Sequence, residues 1–135
     1  MRVFRVGHEE QTRSDVGVTF PVGPYIVNFP VTASLRLMGW AHRDAEHPSP
    51  GWDHALCGIG KHEVCGFLDL GDLLTWFASF HSALDENGFR VWVYDVPESA
   101  VRFGSCSGQI VFSAADAVHV ETFDIPLGDA QLALF

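Results

Sequence analysis

The sequence predicts one α+β domain over residues 1–135, in which a β-sheet carries one long amphipathic helix and an irregular insert. Three observations predict it. Leu70, Leu73, Leu74, Phe77, His81 and Leu84 recur at helical spacing and make one apolar face. The runs "FRVWVYDV", "QIVF" and "VHVETFDI" after them are short, apolar and bounded by turn residues, as strands are. Residues 9–30 and the segment "HRDAEHPSPGWDHALCGIGKHEV" have neither period. With 135 residues, 47% of them hydrophobic, the chain can bury a core of its own.

In order, "RVFRVGH" at residues 2–8 reads as a first strand, with Val3 and Arg5 on one side and Arg2, Phe4 and Val6 on the other. "FPVGPY" and "NFP" then favour turns and extended chain. A helix is expected over Thr32–Ala41, where Leu35, Leu37 and Met38 offer apolar contacts. The insert follows. Trp52 and its histidines argue against plain disorder, and Pro48 and Pro50 suit "HPSPGWDH" to a rigid lid. After a strand at "VCGFL", the long helix is expected over residues 70–85, capped by Asp69 with Asp72 in its first turn and stopped by Asn87-Gly88. "FRVWVYDV" is apolar on both faces apart from Arg90 and Asp95, which suits a central strand. Strands 90–96, 109–112 and 118–124 are expected side by side.

Charge and motif content exclude several functions. Eight Lys+Arg against 17 Asp+Glu give a formal charge of −9, and no cationic stripe is visible, so extended nucleic-acid binding is disfavoured. A small anion such as one pyrophosphate is still within reach of an arginine and a few backbone N–H groups. No run approaches the ~20 apolar residues of a membrane span. "MRVFRVGHEEQ" becomes charged too early for a signal peptide, so a cytoplasmic protein is expected. Three cysteines, Cys57, Cys65 and Cys106, are too few and too odd for a disulfide framework. Walker, G-x-S-x-G and H-E-x-x-H motifs are absent, and "GHEEQTRSDVG" lacks calcium-loop spacing. His54, Cys57, His62 and Cys65, with His42 and His47 upstream, offer zinc ligands in an unusual spacing. Buried thiols are the favoured reading, and no metal is assigned.

The first strand and roughly the C-terminal half carry a likeness. "GQIVFSAADAVHVETFDI" has a polar residue opening an apolar strand, a short turn and a closing strand; "HEVCGFLDLGDLLTWF" has a strand running into a helix. Together with a first strand bearing Arg5 and His8, this order resembles the ADP-ribosyltransferase fold and its split β-sheet. The layout is also similar to small proteins of tailed phages. The resemblance implies NAD as substrate and transfer of ADP-ribose to a macromolecular acceptor, with an oxocarbenium-like ribose to stabilise. It implies that His8 or Arg5 anchors the dinucleotide, that Phe67 or Tyr25 stacks on nicotinamide, and that Gln109 holds the ribose. The chain departs from the family at that last position. Gln109 is neutral where the family has an acidic residue, and Ser107 stands two residues earlier, which leaves Glu121 or Glu63 as other carboxylates. The alternative is a catalytically inactive binding protein, such as a phage-encoded inhibitor of a host protein or a binder of an NAD-derived nucleotide, acting in the host cytoplasm. A zinc-stabilised interaction module is a third. Residue by residue, plain structural roles stay open: Gln109 bonded to a loop, Arg5 laid along apolar neighbours, His8 ending its strand, and Phe67, Trp76 and Phe77 as core aromatics.

Overall fold

A computed structural model describes residues 1–105 and 108–127. The first strand, β1 (Arg2–His8), leads into a two-stranded ribbon of β2 (Thr12–Arg13) and β3 (Phe20–Pro21). Next come α1 (Ala33–Ala41), the insert, β4 (Glu63–Phe67), α2 (Leu70–Trp76), α3 (His81–Glu86) and β5 (Phe89–Asp95). A single 3-10 turn precedes β6 (Val101–Phe103), and β7 (Gln109–Ser113) and β8 (Val118–Asp124) complete the described chain. The molecule is a mixed α/β protein dominated by an antiparallel sheet, with few and short helices.

Six strands form one sheet in the order β6-β7-β4-β1-β5-β8. One expectation is corrected here. The late strands are not all neighbours: β5 pairs with β8, but β7 pairs with β4 on the far side of β1. The six-stranded sheet narrows at its middle to one β1–β4 pair, Phe4 opposite Phe67. In a flat sheet β7 and β8 would lie about 19 Å apart, four strand spacings. Residues 114–117 link them through a turn in which Ala117 N–H bonds Ala114 O, too short for that span. The sheet therefore curls, and Tyr94 of β5 comes within 5.9 Å, ring to ring, of Phe112 of β7.

Strand alternation sorts the two cores. Val3, Tyr94, Ile110 and Phe112 fill the concave side, where the ribbon adds Phe20 and the loop before it adds Val16. Val6, Phe67, Phe89, Val91 and Val93 fill the other side against Leu35, Met38, Leu73, Trp76, Phe77 and Leu84 of the helical layer. Leu37, expected to pack, is 62% exposed.

The expected long helix over 70–85 is two helices. Asp69 caps α2 as expected, accepting the Asp72 N–H at 3.2 Å. Ser79 then takes a left-handed conformation (φ 74°), and the chain restarts at Phe80. Thr75, Ser79 and Ser82 are modest helix formers, so local preference resists the break weakly. The His81 ring donates from Nε2 to the Leu74 carbonyl at 2.8 Å, supplying a partner at the end of α2. Asn87 ends α3 and also grips Thr32, at the head of α1, through two hydrogen bonds of 2.9 Å.

Candidate functional site

Gln109 opens β7 opposite Phe67 and is 3% exposed. By strand parity it shares the helix side of the sheet with Phe67, where the insert covers it. Its amide nitrogen donates to the Pro48 carbonyl at 3.0 Å and lies 3.4 Å from Asp53 Oδ2. Asp53, 1% exposed, accepts from the Ser105 N–H at 2.9 and 3.0 Å, from the Ser105 hydroxyl at 2.7 Å and from the Ala55 N–H at 3.0 Å. Burial opposes its ionisation. The donors on Ser105, Ala55 and Gln109 outweigh that cost and hold its carboxyl at about 2. Gly104 makes the approach possible, since a Cβ there would lie 2.5 Å from both Asp53 Oδ2 and the Gln109 carbonyl. Arg102 of β6 pins the far end of the insert, donating to the Leu56 and Gly58 carbonyls at 2.7 and 3.1 Å while it pairs with Glu63. The amide at the head of β7 thus belongs to a set of bonds that fastens the insert to the sheet.

Of the other residues named for a dinucleotide site, Phe67 is the cross-strand partner of Gln109, and His8 and Arg5 lie apart from it. His8 packs edge-on to Phe29 and Phe89, and its Nδ1 accepts the Glu10 and Gln11 N–H groups at 3.0 and 2.9 Å. Gln109, Phe67 and Phe4 form one row across β7, β4 and β1. His8 sits four residues further along β1 and two strands away from β7, on the order of 16 Å from Gln109. Arg5 is 6% exposed on the opposite, concave face. It donates to the Cys65 and Pro21 carbonyls at 2.9 and 3.4 Å and lies 5.7 Å above the Phe20 ring. Its Nε has no hydrogen-bond partner among the described residues, and burial lowers its pKa. Phe67 is core, 5.4 Å from Trp76, ring to ring. Glu63 is engaged by Arg102, and Glu121 stands on β8 opposite Val93. Cys106 and Ser107 lie outside the described residues. Of two shallow cavities, one of about 380 Å³ is lined by Glu63, Arg102 and Asp116 and one of about 280 Å³ by Phe20, Trp92, Tyr94 and His119, and neither is lined by Gln109, His8, Arg5, Tyr25 or Phe67. Of the zinc candidates, Cys57 is exposed with its thiol 3.0 Å from the His54 carbonyl, and Cys65 faces Val111 across the β4–β7 pair. No group of three His, Cys, Asp or Glu side chains among the described residues is placed to hold a metal.

A second polar cluster joins the insert to the helices. Trp76 Nε1 donates to the Tyr25 hydroxyl at 2.6 Å, and that hydroxyl meets His42 Nδ1. His42 lies flat on His47, ring centroids 3.9 Å apart. His47 reaches Asp44 Oδ1 at 2.8 Å through Nδ1 and the Trp76 carbonyl at 3.0 Å through Nε2. Both partners are acceptors. Burial, and then the neighbouring His47, push His42 down to about 4. A histidine whose folded pKa lies below its unfolded value of about 6.5 stabilises the fold above that pH and loses the contribution as pH falls towards 4. His42 is only partly buried, so we expect about 1–2 kcal/mol from it after screening. Urea unfolding at pH 7 and pH 5 checks this: the wild type should lose that much more than His42→Gln across the interval.

No sequence motif singles out Asp53, and His42 and His47 read from sequence as possible zinc ligands within an ordered insert. A signal for Asp53 existed: an Asp two residues before Ala55, after a Pro-Ser-Pro-Gly turn, is placed to accept a local N–H. Nothing local names Ser105 as its partner.

A family model described as bacteriophage T4 Y00F protein matches residues 1–126, which includes every strand and helix above. The chain belongs to the bacteriophage T4 Y00F protein family. No curated protein and no solved structure matches it. The bonds that fasten the insert through Gln109 and Asp53, and the histidine stack of this Y00F-family chain, therefore both lie within the matched region. No helix among its described residues is long and apolar enough to cross a membrane. What the arrangement around Gln109 can do chemically is limited: Asp53 is an ionised acceptor saturated by donors, and the Gln109 amide nitrogen is engaged on the insert.

Proposed function

We propose that this phage-family protein works by binding a partner, with a host protein as the partner class, and not by transferring ADP-ribose. One observation carries the reading. The groups a transferase would need to converge on one ribose are dispersed: Gln109 bonds to Pro48 and Asp53, the His8 Nδ1 accepts two backbone N–H groups, and Arg5 lies on the opposite face of the sheet. Catalysis requires such groups around one reacting atom, within hydrogen-bond reach of it. Membership of a phage family supports a host target.

The test is the affinity for NAD and for ADP-ribose, measured by saturation-transfer NMR and calorimetry. The expected result is no specific binding, with any Kd weaker than about 1 mM. NAD binding with a Kd below about 100 μM, abolished by Gln109→Ala in a folded protein, would favour the transferase reading instead.

A further inference from the structure

The outward face of α1 is the docking surface of this protein, we infer, and it fits a protein partner that presents an apolar surface bordered by carboxylates. The inference rests on the binding reading above and names its site.

The helix buries Leu35 and Met38 against the core. At 100° per residue, Ala33, Leu37 and Trp40 then fall together on the side facing away from the sheet. Leu37 is 62% exposed and Trp40 is 69% exposed, where an ordinary surface helix would carry charge. Arg36 follows the same wheel to one flank of this stripe, and Arg43, just past the helix, lays its guanidinium 4.4 Å from the Trp40 ring centroid.

Charge pairing singles out this flank. Of the eight Lys and Arg residues, Arg2, Arg13, Arg90 and Arg102 are in salt bridges and Arg5 is buried. Arg36, Arg43 and Lys61 make no salt bridge among the described residues, and two of these three border the α1 stripe. Residues 33–43 contain no Asp or Glu. A chain of formal charge −9 thus carries two unpaired arginines beside its exposed tryptophan. Trp and Arg are the residues that most often dominate binding energy at protein interfaces. Two arginines are too few to offset the repulsion of an anionic membrane or nucleic acid by the rest of the chain, but they are enough to select local carboxylates.

The experiment follows the Trp40 indole N–H by NMR while adding three probes: a synthetic amphipathic peptide of leucine and glutamate, its leucine and glutamine counterpart, and phosphatidylcholine vesicles containing one quarter phosphatidylserine. The glutamate peptide should shift the Trp40 signal and bind about tenfold tighter than the glutamine peptide, a preference that salt weakens. Trp40→Ala, its binding followed by calorimetry because the indole is gone, and the Arg36→Glu/Arg43→Glu pair should each reduce that binding about tenfold, at unchanged melting temperature. Equal binding of the two peptides would overturn the inference. So would shifts that map away from α1, binding to the vesicles at equal strength, or a Trp40 shift that grows with protein concentration alone and so reports a second copy. None of these outcomes bears on NAD affinity, so this inference can fail while the binding reading stands.

Discussion

Asp53→Ala should lower the unfolding free energy by about 3 kcal/mol, the scale of losing several hydrogen bonds to one charged acceptor and leaving their donors partly unsatisfied. The wild-type carboxylate takes two donors from Ser105, one from Ala55 and a longer contact from Gln109. Without it, the loop at Ser105 loses its tie to the insert, and the Gln109 amide keeps only the Pro48 carbonyl. For a chain of this size the melting temperature should drop by roughly 10 °C. Asp53→Asn keeps the shape and some acceptor capacity, so it should cost about half as much. The wild-type contribution also has a pH signature. With a folded value of about 2, below the unfolded value of about 3.9, it is fully present above pH 4 and is lost as pH falls towards 2. Thermal melts at pH 7 decide the matter. A shift under about 0.5 kcal/mol, the range of an unremarkable surface change, would mean that Asp53 does not hold the insert.

Gln109→Glu should also destabilise, by about 2–4 kcal/mol at pH 7. The substitution replaces an amide donor with an acceptor that faces the Pro48 carbonyl and lies beside the Asp53 carboxylate, 3.4 Å from the present nitrogen. Two carboxylates that close cannot both stay ionised at low cost. The introduced carboxyl therefore titrates above its unfolded value, as part of a coupled pair. Its sign follows: the variant approaches wild-type stability at low pH, and the penalty grows as pH rises through the raised folded value. Unfolding free energies at pH 5 and pH 8 should diverge from the wild type in that direction. Equal stability at pH 8 would mean that the amide does not face Asp53.

The legible parts of the fold were those written in local pattern. Val3, Val6, Val91 and Val93 alternate or run together as strand residues do, and β1, β4, β5, β7 and β8 fall within a residue or two of their expected places. β6 was missed because three residues, two of them the exposed Arg102 and Phe103, carry no period. The helix break was invisible for a related reason. A single left-handed residue at Ser79 leaves the apolar spacing of Phe77 and Leu84 unchanged. Strand order was out of reach because pairing joins residues far apart in sequence, such as Phe67 with Gln109. The same limit applies to the site. Gln109 was conspicuous as a polar residue opening an apolar strand, but its partner Asp53 lies 56 positions earlier, inside the insert. Leu37 and Trp40 were ambiguous for the opposite reason, since an apolar residue on a short helix reads as core until the core is known to lie behind Leu35 and Met38.

Nicotinamide release from NAD distinguishes a Gln109 that fastens the insert from one that holds a ribose. The assay compares the wild type with Gln109→Glu at a pH where both are folded. A ribose-holding amide would become a better catalyst as a carboxylate, because a negative charge stabilises an oxocarbenium-like transition state. An amide that fastens the insert has no such route to activity. Neither protein should release nicotinamide above the uncatalysed background. Release by the wild type, increased in Gln109→Glu, would contradict a Gln109 that only fastens the insert.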